Sequence, residues 1–158
     1  MITVLDIETT FTKEGDPSPF NPDNRLVSVG INDEYYFFHH SDLFEKSIAI
    51  DNKKLVQDIL DKSELVIGHN LKFDMSWLYQ CGFTYQGKLY DTMLGEYIIN
   101  RGEKKSVSLK ESCKRRGISL KSDILSTYMN EGYNIDEIPI PKLEEYGKQD
   151  VKITRELY

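Results

Sequence analysis

Two acids near the start of the chain set the chemistry. Asp6 and Glu8 flank Ile7 and follow the apolar residues Ile2, Val4 and Leu5. On a strand, residues two apart point to the same face, so the two carboxylates stand side by side. Paired acids on a strand that is otherwise apolar repel each other and lose hydration, which a fold tolerates only with positive charge between them. A divalent cation held by oxygen ligands supplies that charge. Alone, an Asp-x-Glu pair describes equally well a strand running out into a solvated acidic edge, so the reading turns on whether further acids reach the same place.

Two more do. Asp74 falls one turn into a helix expected to start at the capping residue Asn70, next to an apolar face made by Phe73, Trp77 and Leu78. The apolar run at residues 64–68 precedes it, so the strand-to-helix junction delivers His69, Asn70 and Asp74 to the C-terminal edge of a sheet, where open α/β sheets bind ligands. Near the end of the chain, Leu143, Tyr146, Asp150, Thr154 and Leu157 recur three and four apart and form one helical stripe. An aspartate on an inward stripe needs a partner, and a tyrosine stands one turn before it.

The elements that must carry these groups follow from periodicity. Residues 3–7 form a buried strand, and the Gly-, Pro- and Asn-rich stretch 15–24 is a loop. Residues 25–31 and 34–38, separated by Asn32 and Asp33, form a hairpin that pairs with the first strand in an antiparallel set. His39 and His40 are expected at the surface, since neighbours on a strand end point opposite ways. An amphipathic helix spans residues 52–62, and a last short strand spans 87–90. Asp91 caps the helix that follows, with Met93, Leu94, Tyr97 and Ile98 expected to face inward. A basic helix over residues 108–116 adds Lys110, Lys114, Arg115 and Arg116 to Lys104 and Lys105, the main positive cluster of the chain and a candidate for phosphate contact. Residues 118–141 show no clear period, and the final helix begins at Pro141.

The 158 residues suffice for one domain with its own core, expected over residues 1–158. A charged fraction of 29% and a hydrophobic fraction of 39% are those of an ordinary soluble protein. The net charge of −6 argues against a nucleic-acid partner unless several acids are metal ligands; four such acids would be neutralised by two divalent cations. Cys81 and Cys113 read as free thiols of a reducing cytoplasm, and no signal segment or membrane-spanning run is present.

Taken together, Asp6-Ile7-Glu8, Asn70-Leu71-Lys72-Phe73-Asp74 and Tyr146-Gly147-Lys148-Gln149-Asp150 resemble, in order and spacing, the three motifs of the DEDD 3′→5′ exonucleases of the tyrosine subclass. The stretches 67–74 and 91–97 are most similar to the proofreading domain of family A (polymerase I-like) DNA polymerases. The resemblance implies an α/β, RNase H-like fold, with a five-stranded mixed sheet flanked by helices. It implies that Asp6 bridges two Mg²⁺ ions, for which Mn²⁺ substitutes. Glu8 and Asp150 complete one site, and Asp74 holds the second ion, largely through water. One ion would activate a water and the other stabilise the leaving oxygen. Tyr146 would orient the attacking water with Glu8, releasing nucleoside 5′-monophosphates.

Thr9, Phe11, His69 and Asn70 would contact the substrate, with Phe11 as a wedge between the last bases; the family often has glutamine in place of His69. The implied partners are single-stranded DNA or a primer 3′ end and a DNA polymerase domain or subunit, with no membrane, and the protein itself is expected to be a monomer. RNA trimming by the same chemistry and a fold kept only for binding nucleic acid are the alternatives. With Tyr158 the chain reaches the end of the third motif's helix, which fits a domain of a longer polymerase, a separate editing nuclease or an independent one.

Overall fold

In the computed structural model, residues 1–43, 46–120 and 123–158 are described. Five strands, β1 (Ile2–Thr9), β2 (Leu26–Ile31), β3 (Glu34–Phe37), β4 (Leu65–Gly68) and β5 (Lys88–Asp91), form one mixed sheet in the order β3-β2-β1-β4-β5. β1 lies at the centre, antiparallel to β2 and parallel to β4. Three antiparallel strands followed by two parallel ones, with helices on both faces, is the RNase H-like arrangement expected from the motifs.

Side-chain alternation along β1 sorts its residues between two cores. Leu5 and Ile7 join Val56, Leu60, Leu71, Met75, Trp77 and Leu78 beneath α1 (Lys46–Asp61) and α2 (Leu71–Gln80). Val4 packs on the other face with Ile67 and Val151 of α6 (Ile140–Leu157). A strand buried on both faces reads as a nearly continuous apolar run, and β1 breaks that run only at its acids. α1 starts at Lys46 rather than Asn52, because the sequence from residue 46 carries no helix breaker.

α3 (Thr92–Ile99) departs from its expected orientation. Leu94, Tyr97, Ile98 and Ile99 are all more than half exposed, and the helix buries Thr92 and Glu96 instead. The apolar stripe expected to face inward therefore faces outward. The physical cause is an ion-paired anchor: buried Glu96 accepts from Arg116 Nε at 2.9 Å and Arg115 Nη2 at 3.2 Å, both on α4 (Leu109–Arg116). Holding that carboxylate inward turns the apolar stripe out. The same pairing, with Lys114 on Glu111 and Lys105 on Glu103, means that four of the six cations of the basic segment are neutralised within the protein.

His40 also corrects an expectation, since it is 3% exposed rather than a surface residue. Its Nε2–H donates to Ile138 O at 2.6 Å and its Nδ1 accepts the Asp42 N–H. The polypeptide between residues 118 and 141 resolves into α5 (Ile124–Asn130), capped by Asp123, and a 3₁₀ turn (Ile135–Glu137) closed by a capping box from Asn134 and Glu137. Cys81 and Cys113 are free thiols, as expected. No helix among the described residues is long and apolar enough to cross a membrane.

Asp91, at the end of β5, holds two helices. One carboxylate oxygen accepts the N–H groups of Asn70 and Met93 and the other that of Leu71, each at 2.9 Å. It therefore caps α3 as expected and also α2, whose own Asn70 makes no side-chain cap. Replacing Asp91 by Ala orphans three backbone donors, and Asp91→Ala is expected to lower unfolding free energy by about 2 kcal/mol. Urea denaturation measures this, with Asp91→Asn expected to fall between the two.

Candidate active site

The acidic site is built where three elements meet. β1 presents Asp6 and Glu8 toward α6, opposite the core-facing Leu5 and Ile7. The ladder irregularity between Glu8 and Thr9 ends regular pairing beside the second acid, in the place where bulges commonly re-aim side chains. α6 brings Asp150 into the same space, and carboxylate oxygens of Asp6, Glu8 and Asp150 lie within 4.8 Å of one another. α2 brings Asp74, 3% exposed, whose Oδ1 accepts the Ile7 N–H at 3.2 Å. The fourth acid is thus tied to the backbone between the first two. Tyr146 stands one turn before Asp150 on α6, and its phenol works to lower the pKa of that carboxylate.

Electrostatics follow from this crowding. Burial, then the charges of Asp150, Glu8 and Asp74, drives the Asp6 carboxyl well above its usual range. Glu8 is raised by burial and by Asp150, Asp74 and Asp123. Burial raises Asp74 against its backbone hydrogen bonds, and Asp150 is pushed up to about 7 by burial, partly opposed by Tyr146 and reinforced by Asp123. Burial and the neighbouring acids raise the Tyr146 phenol, which therefore keeps its proton. Among the described residues no lysine, arginine or histidine forms an ion pair with any of the four acids.

That donor set fits a hard divalent cation. All the converging groups are carboxylate oxygens, the choice of Mg²⁺ and Mn²⁺, and no ion pair among the described residues competes for them. Asp6, Glu8 and Asp150 each keep part of their surface open, so the cluster lies at the floor of an accessible site.

The remaining sequence-derived candidates are distributed around it. Thr9 is buried just past Glu8, and Phe11 is partly buried against Leu125, Ile135 and Leu143, its backbone held by both side-chain ends of Asn134. Asn70 is exposed, in the left-handed region at φ 62°, which asparagine tolerates. His69 donates through Nε2 to Val107 O and pairs through Nδ1 with Thr92 Oγ1, both at 2.9 Å. Its ring therefore braces α3 and the 107 loop, and burial lowers its pKa. Lys110 lines a hollow of about 310 Å³ together with Tyr146, Gln149, Asp150 and the apolar Ile124 and Ile153. Sequence reasoning missed Asp123, whose charge reaches Glu8, Asp150 and Tyr146 from the start of α5; a capping aspartate before a short helix carries no sign of that role.

Comparison with known proteins agrees with this geometry. A family model described as 3′-5′ exonuclease matches residues 6–158. DNA polymerase I of Aquifex aeolicus (strain VF5) is 27% identical over 138 residues, covering 85% of this chain and 21% of that protein, so the chain spans about a fifth of that relative's length. A solved structure described as the apo form of the nuclease shares the fold, with a TM-score of 0.67 at 16% identity over 99% of this chain and 69% of the other.

The raised carboxyls give a pH signature. Their unfolded counterparts titrate near 4, so between about pH 4 and pH 7 the folded protein binds more protons than the unfolded chain, and stability falls as pH rises through that window. In EDTA the melting temperature is expected to be higher at pH 5.5 than at pH 8 by about 3 °C or more. Millimolar Mg²⁺ should raise it chiefly at pH 8, where the acids are ionised. A flat profile in EDTA, unchanged in Asp150→Asn, would show that the acids do not interact.

Proposed function

This chain belongs to the 3′-5′ exonuclease family, and from that premise we propose that it removes nucleotides from DNA 3′ ends, single-stranded or frayed, and edits for a DNA polymerase. The observation that carries the reading is the convergence of Asp6, Glu8 and Asp150 within 4.8 Å, with Tyr146 one turn before Asp150 on the same helix. Residues 1–158 act as one exonuclease domain.

Asp6, Glu8, Asp74 and Asp150 would hold two divalent ions, Mg²⁺ or Mn²⁺. When bound, the ions supply positive charge to the scissile phosphate and lower the pKa of water. The chain's own residues do the positioning. Tyr146, protonated beside Asp150, offers its phenol oxygen to one proton of a water molecule, and the Glu8 carboxylate accepts the other. The water lone pair then points at phosphorus, in line with the departing 3′-oxygen. Asp74, anchored on the Ile7 N–H, keeps its second oxygen for the far side of the site. Thr9, Phe11, His69 and Asn70 would border the path of the terminal nucleotides, and an apolar wedge suits ends whose bases are unpaired.

Association with a polymerase has support of its own. The relative is a DNA polymerase I about five times the matched length. β5 and α3 also expose Leu89, Leu94, Tyr97 and Ile98, apolar side chains of the kind that protein contact sites present.

Purified protein given labelled single-stranded DNA, mismatched primer-template or RNA is expected to release mononucleotides from the 3′ end of single-stranded DNA fastest. Activity should vanish in EDTA and fall by at least about 10³-fold in Asp6→Ala, while Tyr146→Phe lowers kcat by about 10²-fold with a smaller change in KM. Preference for RNA would transfer the reading to RNA trimming, and metal-independent activity would overturn the ligand assignment.

A further inference from the structure

Behind the acidic site, on the β2–β3 side, stands a tyrosine that the proposed chemistry does not use. Across the sheet, Asp6 pairs with Gly30 and Gly30 with Tyr35, while Glu8 pairs with Ser28. Directly opposed residues share a face, so Tyr35 and Ser28 point toward α6 with the acids. Their hydroxyls meet at 2.7 Å, and Ser28 is fully buried.

Two glycines shape the space around the ring. A Cβ at Gly30 would lie 3.3 Å from Tyr35 Cδ2 and 3.0 Å from Val151 Cγ2, so the bare backbone at Gly30 lets the ring and α6 approach together. A Cβ at Gly147 would fall on the ring, 2.6 Å from Oη and 2.8 Å from Cζ. The turn of α6 between Tyr146 and Asp150 therefore rests its backbone on the Tyr35 ring. Gly147 lies inside the third motif, and this close approach requires it.

The hydroxyl pair has a further property. Two hydroxyls sharing one hydrogen bond hold two protons and use one, leaving one O–H to donate elsewhere. The nearest strong influences on the Tyr35 phenol are carboxylates: burial, then Glu8, ahead of Asp6 and Asp150, pushes its pKa well above the usual range, so it remains a donor.

We propose that Tyr35 is a positioning residue for the exonuclease site. Its ring, seated under Gly147, sets the height of α6 and so the placement of Tyr146 and Asp150. Its hydroxyl is held by Ser28, the residue opposite Glu8 across the sheet, and the O–H that this pair leaves over is available to the acids. This deepens the functional reading above and rests on Glu8 and Asp150 being ligands. Partners of this kind, one shell behind the ligands, typically account for about 10- to 100-fold in metal affinity or activity.

Tyr35→Phe keeps the ring and removes the hydroxyl, and Ser28→Ala removes its partner. Tyr36→Phe is the control, since Tyr36 bonds exposed Glu34 through its own hydroxyl. Calorimetric Mg²⁺ titration of the free protein, without substrate, is expected to show affinity weakened about 10-fold in Tyr35→Phe and Ser28→Ala and unchanged in Tyr36→Phe. On single-stranded DNA, kcat should fall about 10-fold with KM within about 2-fold. Gly147→Ala should lower kcat further, at a temperature where circular dichroism shows the variant folded. Wild-type Mg²⁺ affinity in folded Tyr35→Phe overturns the proposal. So does a loss that only tracks the unfolded fraction. If the wild-type protein binds Mg²⁺ but degrades no 3′ end, the functional reading fails while the Mg²⁺ titration still decides the role of Tyr35.

Discussion

Mutual repulsion among four carboxylates, drawn together from β1, α2 and α6, is the constraint on which the rest of this structure depends. Each acid is driven toward its protonated form by burial, and Asp6 and Glu8 also by the other acids of the set. A fold does not gather such groups for its own stability, since an uncompensated cluster of this kind opposes folding. The arrangement is sustained by rigid supports: a central strand paired on both edges, a helix start fastened by Asp91, and a long helix pressed on the sheet. A divalent cation converts the same repulsion into binding strength, which ties stability, metal affinity and chemistry to one set of side chains.

The supports share a design in which the acids stay free because other polar groups do the structural bonding. Asp91 caps two helices, Glu96 is held by two arginines, and His69 and His40 bridge backbone carbonyls. Each of these residues could be mistaken in the sequence for a site residue or a surface one. Their partners in space distinguish them from Asp6, Glu8 and Asp150, whose neighbours are chiefly other acids. Outward rotation of α3 is a by-product of the Glu96 anchor, and it leaves an apolar face beside the edge strand β5.

Small residues matter as much as charged ones at the back of the site. Opposite the two strand acids stand Gly30 and Ser28, which leave room for α6 to descend until its backbone at Gly147 meets the Tyr35 ring. The distance between a strand carboxylate and a helix carboxylate is thus set by contacts that involve neither.

The sequence by itself determined the acids and the elements bearing them. Alternation put Asp6 and Glu8 on one face, helical spacing put Tyr146 and Asp150 on one stripe, and the order of motifs supplied the sheet; these are short-range patterns with fixed periods. Tertiary structure alone decided which way α3 turns, because the Glu96 pairing with Arg115 and Arg116 spans helices and outweighs its hydrophobic period. It alone buried His40, made Asp91 the cap of a helix twenty residues earlier and brought Asp123 near the site. Asp6 and Glu8 could be paired from sequence because a strand fixes the geometry between neighbours. Their coupling to Asp74, Asp150 and Tyr35 depends on packing between distant segments, for which no local period exists.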